Sequence, residues 1–197
     1  MALSPSFWFT QSGPTTTEIA PAMWEGDTSK WTLSGNDASK TEPSSPNFSN
    51  IRIKHATAPV LDGDFTWTYT QVGNMGGNTD SSYGFYDISE DSTWASQAYQ
   101  QGLNSMTSSY WIDTTGGSGG GATTGVIETN QGGSIQTAGI SFSTNQTFKW
   151  QRTGTSLKFF IADVEKQEFT SVSATLRFCA SGFTPNAANI ADITCVT

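Results

Sequence analysis

The stretch Asp64-Phe65-Thr66-Trp67-Thr68-Tyr69-Thr70 alternates large aromatic side chains with threonine. A period of two places Phe65, Trp67 and Tyr69 on one face and the threonines on the other, the geometry of a half-buried strand. The pattern recurs. Ile51 and Ile53 alternate with Arg52 and Lys54 in residues 48–55, and Phe148 and Trp150 alternate with polar residues in 147–153. Further strands are predicted at 30–34, 82–89, 110–113, 124–129, 134–142, 157–162, 174–180 and 190–196. Thr153-Gly154-Thr155-Ser156 reads as a hairpin turn between two of them. About eleven short strands separated by Gly, Asn and Ser turns predict an antiparallel sandwich. No alternation of strands with long helical patterns points to a parallel α/β sheet.

The chain has 197 residues, enough for one domain with its own core. Only 13% of residues are charged, about half the average share. Its polarity comes from 25 Ser, 29 Thr and 20 Gly. Aromatics make up 12%, so the chain is expected to fold. Nine basic against seventeen acidic residues, a net charge of -8, argue against nucleic acid and against an anionic membrane surface. No apolar run approaches the roughly 20 residues of a membrane helix. Met1-Ala2-Leu3-Ser4-Pro5 has no basic start leading into an apolar stretch, so no secretory signal is read there. The expectation is a chain that stays in its cell, leaves by assembly or lysis, or has been trimmed.

Residues 92–102 break the strand pattern and predict a short helical insertion, capped by Asp91 or Ser92 and ended by Gly102. Two loops are expected, at 73–81 and at the Gly-rich 114–122. Residues 1–21, with Pro5, Pro14 and Pro21, read as an N-terminal arm before a sandwich domain at 22–197. Phe7, Trp8 and Phe9 in that arm need burial, so they are the expected docking element of an oligomer. Cys179 and Cys195 are open to two readings, a single bridge or two buried thiols. His55 is the one histidine; it provides no zinc cluster and reads as a surface residue.

Four segments carry a family resemblance. Leu61-Asp62-Gly63-Asp64-Phe65-Thr66-Trp67 is followed by Tyr83-Gly84-Phe85-Tyr86. Then comes Arg152-Thr153-Gly154-Thr155-Ser156-Leu157-Lys158-Phe159, and finally Leu176-Arg177-Phe178 with Ile190-Ala191-Asp192-Ile193. In this order they resemble the concanavalin A-like jelly-roll superfamily, in its laminin-G-like branch. The resemblance spans roughly residues 22–197 and implies two packed antiparallel sheets. Members include lectins, adhesion modules, glycosidases and surface parts of bacteriophage virions.

Three chemistries bear on that resemblance. Glycosidases of the superfamily carry two glutamates at i and i+4 on one strand face with an aspartate between, one to attack and one to donate a proton. The nearest match is Asp87-Ile88-Ser89-Glu90-Asp91, where the middle carboxylate is missing and neither end is Glu. It reads as a solvated strand end. No Gly-x-Ser-x-Gly elbow accompanies His55. Many relatives hold calcium on loop oxygens; the candidates are Asp62 and Asp64, or Asn74, Asn78 and Asp80, against ordinary turn chemistry. A sugar site needs flat aromatics and amide or carboxylate partners. Trp94, Tyr99, Tyr110 and Trp111, with Asn78 and Asp80, supply both, against their packing as core.

The sequence therefore predicts an all-β, two-sheet jelly-roll sandwich with one short helical insertion. The expected function is a non-enzymatic surface module of a bacteriophage virion, a capsid decoration or tail component that binds glycan or the host surface. Other virion proteins and further copies of the chain are the expected partners, with a virion-surface or extracellular location. The alternatives are a purely structural decoration protein, a secreted lectin and a glycoside hydrolase. No cofactor is expected beyond calcium.

Overall fold

The computed structural model describes residues 13–41, 49–54, 57–72, 80–96, 106–116, 123–131, 134–142, 145–182 and 189–197. Among them fifteen strands form: β1 (Thr16–Glu18), β2 (Trp24–Gly26), β3 (Trp31–Ser34), β4 (Asp37–Lys40), β5 (Ser49–Ile53), β6 (Phe65–Gln71), β7 (Asp80–Asp87), β8 (Ser108–Gly116), β9 (Thr123–Gln131), β10 (Ser134–Ser141), β11 (Thr147–Thr153), β12 (Ser156–Ile161), β13 (Val164–Phe169), β14 (Leu176–Gly182) and β15 (Asn189–Val196). A helix, α1 (Asp91–Ser96), follows a 3-10 turn at Ile88–Glu90. The strands pair antiparallel throughout. One sheet runs β13-β12-β11-β6-β15-β4-β3, with β1 beside β15; the other runs β10-β9-β8-β7-β14-β5-β2. This is the two-sheet jelly-roll sandwich with a short helical insertion that the alternation predicted.

The two aromatic faces meet in the middle. Trp67 from the eight-stranded sheet stacks on Phe178 of the other at 4.6 Å between centroids and meets Phe85 edge-on at 5.9 Å. Trp150 closes on Phe85 and on Phe159 at 5.6 and 4.6 Å. Offset and edge contacts of this kind add about 0.5–1.5 kcal/mol per pair to the area buried.

Two residues of the resemblance motifs explain themselves here. A Cβ at Gly84 would stand 2.2 Å from the Tyr110 carbonyl oxygen and 2.5 Å from Trp111 Cα, so β7 and β8 pair closely only because that atom is missing. Arg152 is 4% exposed and donates to the carbonyls of Leu61, Val172, Ala174 and Gly154 at 2.7–3.2 Å. One guanidinium thus satisfies buried backbone from three separate loops.

Several expectations change. Residues 13–21 are not a free arm: β1 pairs with β15, Thr15 exchanges hydrogen bonds with Thr197, and Ile19 is fully buried. The rest of the arm, with Phe7, Trp8 and Phe9, lies outside the described residues, as does His55. Cys179 and Cys195 belong to different sheets and are not joined by a disulfide. The helix begins at Asp91, whose carboxylate turns to the sheet rather than capping it. No helix among the described residues is long and apolar enough to cross a membrane.

Candidate functional site

Strand alternation gives the seven-stranded sheet an inner face of Tyr83, Phe85, Tyr110, Ile112, Phe178, Ile51 and Ile53, all in the core. The intervening positions form its outer face. Register aligns them in a transverse row: Glu25, Arg52, Cys179, Gly84, Trp111, Glu128, Thr137. A neighbouring row runs Asn50, Ser181, Ser82, Asp113, Val126, Gly139.

The β5–β14 end of this face is locked. Arg177, 6% exposed at its side chain, donates to Glu25 Oε1 and Asp91 Oδ2, both at 2.6 Å, and to the Ile53 carbonyl. Arg52 donates to the same Glu25 oxygen at 2.8 Å and to Asp91 Oδ1 at 3.2 Å. Tyr86 hydroxyl accepts from Arg52 at 3.1 Å and donates to Asp91 Oδ1 at 2.7 Å. Burial pushes the Tyr86 phenol far above its ordinary value, Cys179 and the Asp91 hydrogen bond add to this, and the two arginines oppose it. Two cations and two carboxylates cancel here, and they fasten β2 and α1 to the sheet.

Glu90 fixes the far end of the same insertion. Its carboxylate accepts from Thr107 N, Thr107 Oγ1 and Ser108 N at 2.7–2.9 Å. Beneath it, Tyr86, Met106, Trp111 and Cys179 form a second buried cluster outside the main core.

The remaining row is different. Ser82 and Ser181 are buried, at 0% and 3% exposure, and neither hydroxyl has a hydrogen-bond partner. A buried hydroxyl without a partner costs about 1–3 kcal/mol, so such groups normally have a reason.

The sequence-predicted residues distribute as follows. Tyr110 is 3% exposed in the main core against Phe169, and Trp111 is fully buried in the second cluster, so neither offers a ring to a sugar; packing claimed both. Asp80 heads β7 and Trp94 lies in α1. Asn74, Asn78 and Tyr99 lie outside the described residues. Asp64 accepts from Gly154 N at 2.7 Å and so holds the β11–β12 hairpin, while Asp62 is exposed. Among the described residues no three His, Cys, Asp or Glu converge as metal ligands. Asp87 accepts from Ser89 N, Glu90 is the clamp just described and Asp91 is held by Arg177, so all three carboxylates of the hydrolase-like segment have structural partners. Sequence reading missed Glu25, Arg52, Arg177 and Asp91 as a group. The available signal was arginine at mid-strand in a chain with so few charges. The crevice lined by Ile53, Val60, Ile88 and Leu176 has a cavity volume of about 20 Å³, room for one water and not for a sugar ring.

No protein-family model matches this chain. No curated protein matches its sequence. Solved structures do match its fold. A native glycosidic hydrolase aligns with a TM-score of 0.57 at 9% identity over 93% of this chain and 95% of its own. Crh5 transglycosylase in complex with NAG gives 0.58 at 8% over 94% and 83%. The carbohydrate recognition domain of Emp46p, in its potassium-bound form, gives 0.58 at 13% over 88% of each chain. The two-sheet jelly-roll fold is shared with all three. The expectation of a non-enzymatic module is corrected by these neighbours: hydrolase and transglycosylase share this scaffold with a recognition domain. The missing i, i+4 carboxylate pattern was a test of one strand, whereas register brings carboxylate residues together across strands.

Proposed function

We propose that this chain is a carbohydrate-recognition domain that engages glycan across the outer face of its seven-stranded sheet. The observation that carries the reading is the fold shared with a carbohydrate recognition domain, which aligns over 88% of this chain. The test is a glycan array with labelled protein, run with calcium and with EDTA. Wild type is expected to bind a defined glycan set. A blank array at high protein concentration would refute the proposal.

A second reading, cleavage of the bound glycan, is favoured by register. Asp113 lies opposite Val126, two residues from Glu128, so the two are diagonal neighbours on adjacent strands. Release of reducing ends, lost in Asp113→Asn and Glu128→Gln while binding persists, is the expected signature.

The homo-oligomer read from sequence is supported by β10, an eight-residue edge strand without charge or proline. The virion-surface setting rests on the low charge and Ser/Thr/Gly-rich composition alone. Removal of residues 1–12, followed by sizing in solution and virion assembly, tests the docking role of Phe7, Trp8 and Phe9; an unchanged oligomer and intact assembly would end it.

A further inference from the structure

We propose that the core of the sandwich holds a structural water site at one end, where ordered water joins Gln71 of β6 to Tyr83 of β7 and so links the two sheets. The inner faces of both sheets change character towards that end. Along β6 the inward residues run Phe65, Trp67, Tyr69 and then Gln71, all buried. Along β7 they run Phe85, Tyr83 and then Ser81, also buried. Each row begins with a phenylalanine ring and finishes on a hydrogen-bonding side chain.

Side-chain size falls in the same direction. Register pairs Phe85 with Phe178, Tyr83 with Ala180 and Ser81 with Gly182. The Phe85 and Phe178 rings meet at 5.3 Å between centroids. At the Ser81–Gly182 pair a hydroxymethyl group and a hydrogen atom take the places of those rings. Protein interiors are otherwise close-packed, and small residues beside polar ones are how a core makes room for water.

Hydrogen bonding at that end is incomplete within the protein. Gln71 is fully buried, and neither its amide nitrogen nor its amide oxygen has a protein partner. Its backbone is satisfied by Asn145 and Gln146, so the orphaned atoms belong to the side chain alone. The Tyr83 hydroxyl, also fully buried, has no partner either. Ser81, Gln71 and the Asn189 backbone are the groups that act on that hydroxyl, yet none stands in direct hydrogen-bond geometry with it. Polar groups that are close but not bonded are the setting in which a water sits between. A buried water takes two to four polar partners, and Gln71 and Tyr83 together offer both donors and acceptors. The buried indoles of Trp24 and Trp67, equally unpartnered, bring one donor each and no acceptor, which is too little to hold a water. Because β6 and β7 follow one another in the chain and belong to different sheets, the water fastens the sandwich where the chain crosses between them.

A high-resolution crystal structure of the full chain is expected to show ordered water within hydrogen-bonding distance of both the Gln71 amide and the Tyr83 hydroxyl. In solution, the Gln71 side-chain amide protons should show magnetic cross-relaxation with a long-lived water. Tyr83→Phe, which keeps the ring and its packing, should lower the folding equilibrium constant about fivefold. In a Gln71→Leu background the same change should lower it by no more than about twofold, because the shared water is already lost. A dry site gives the opposite sign, since removing an unmet hydroxyl from the core raises the constant. An unchanged or raised constant in Tyr83→Phe, an equal loss in both backgrounds, or electron density in which Gln71 bonds Tyr83 directly with nothing between them would overturn the proposal. The crystal structure and the cross-relaxation are read on the wild type, so they decide the matter even where Gln71→Leu fails to fold.

Discussion

The outer faces of the two sheets are built from the same alternating strands and are completed in different ways. On the eight-stranded sheet Thr66, Thr68 and Thr70 face outward, Thr68 pairs with Thr194 across β6–β15 at 2.6 Å, and Lys149 lies over the Phe160 ring at 4.5 Å and reaches Asp163. These groups are partly exposed, and Thr68, Thr194 and Lys149 find their partners close by. On the seven-stranded sheet the outward positions include fully buried Trp111 and Tyr86, ion pairs between residues as far as 152 positions apart, and hydroxyls without partners. One face is a solvent boundary. The other carries a second layer at one end and buried hydroxyls without partners beside it, where the first only covers the core.

The sharpest way to break the contrast is Gly84→Ala. Its added methyl meets backbone, which cannot rotate away, so a loss of about 3 kcal/mol or more is expected in denaturant unfolding. A tolerated alanine would show that β7 and β8 do not pair as closely as described.

Arg177→Ala comes next. It leaves Glu25 and Asp91 sharing Arg52 alone, and the two carboxylates are about a third exposed. The expected loss is about 2–3 kcal/mol, below that of a fully buried pair, accompanied by release of the insertion to proteolysis.

The interior that both faces enclose gives a pH signature. Burial pushes the Cys195 thiol up to about 12 from 9.0, and likewise pushes the Tyr83 phenol up to about 12. The fold holds both groups protonated, so their stabilisation is complete below pH 9 and is lost as pH rises towards 12. Unfolding at pH 8 and pH 10 should differ by on the order of 1 kcal/mol through Cys195, and Cys195→Ala should flatten that slope.

The smallest effect is expected on the covering face. Lys149→Ala removes a salt bridge whose Asp163 partner is 87% exposed, and should change stability by less than about 0.5 kcal/mol. An effect as large as that of Arg177→Ala would erase the distinction between the faces.

Legibility in the sequence followed the same division. All eleven expected strands form, because alternating aromatic and β-branched residues report burial directly. Four further strands carry no such signal. In β13, Val164-Glu165-Lys166-Gln167-Glu168-Phe169 is rich in helix formers, and tertiary pairing at the sheet edge overrides that preference. Its entry turn also hides itself: Ala162 and Asp163 take φ of 48° and 62°, a conformation usually announced by Gly or Asn. β1 and β2 are three residues long, and β4 is an unpromising Asp-Ala-Ser-Lys. At the candidate site the limit was distance. Glu25, Arg52, Asp91 and Arg177 have no mutual spacing a sequence could display, and Trp111 looks the same whether it faces sugar or Met106.

The two anchors of the insertion sit outside the residues they bracket. Asp91 is tied to the sheet before them, and Glu90 holds Thr107 and Ser108 after them. Closing a longer loop costs only about 0.6 kcal/mol per doubling once its ends are fixed. Both fastenings draw on the framework alone, so the sandwich holds its own edges at Asp91 and Ser108 whatever side chains lie between them in sequence.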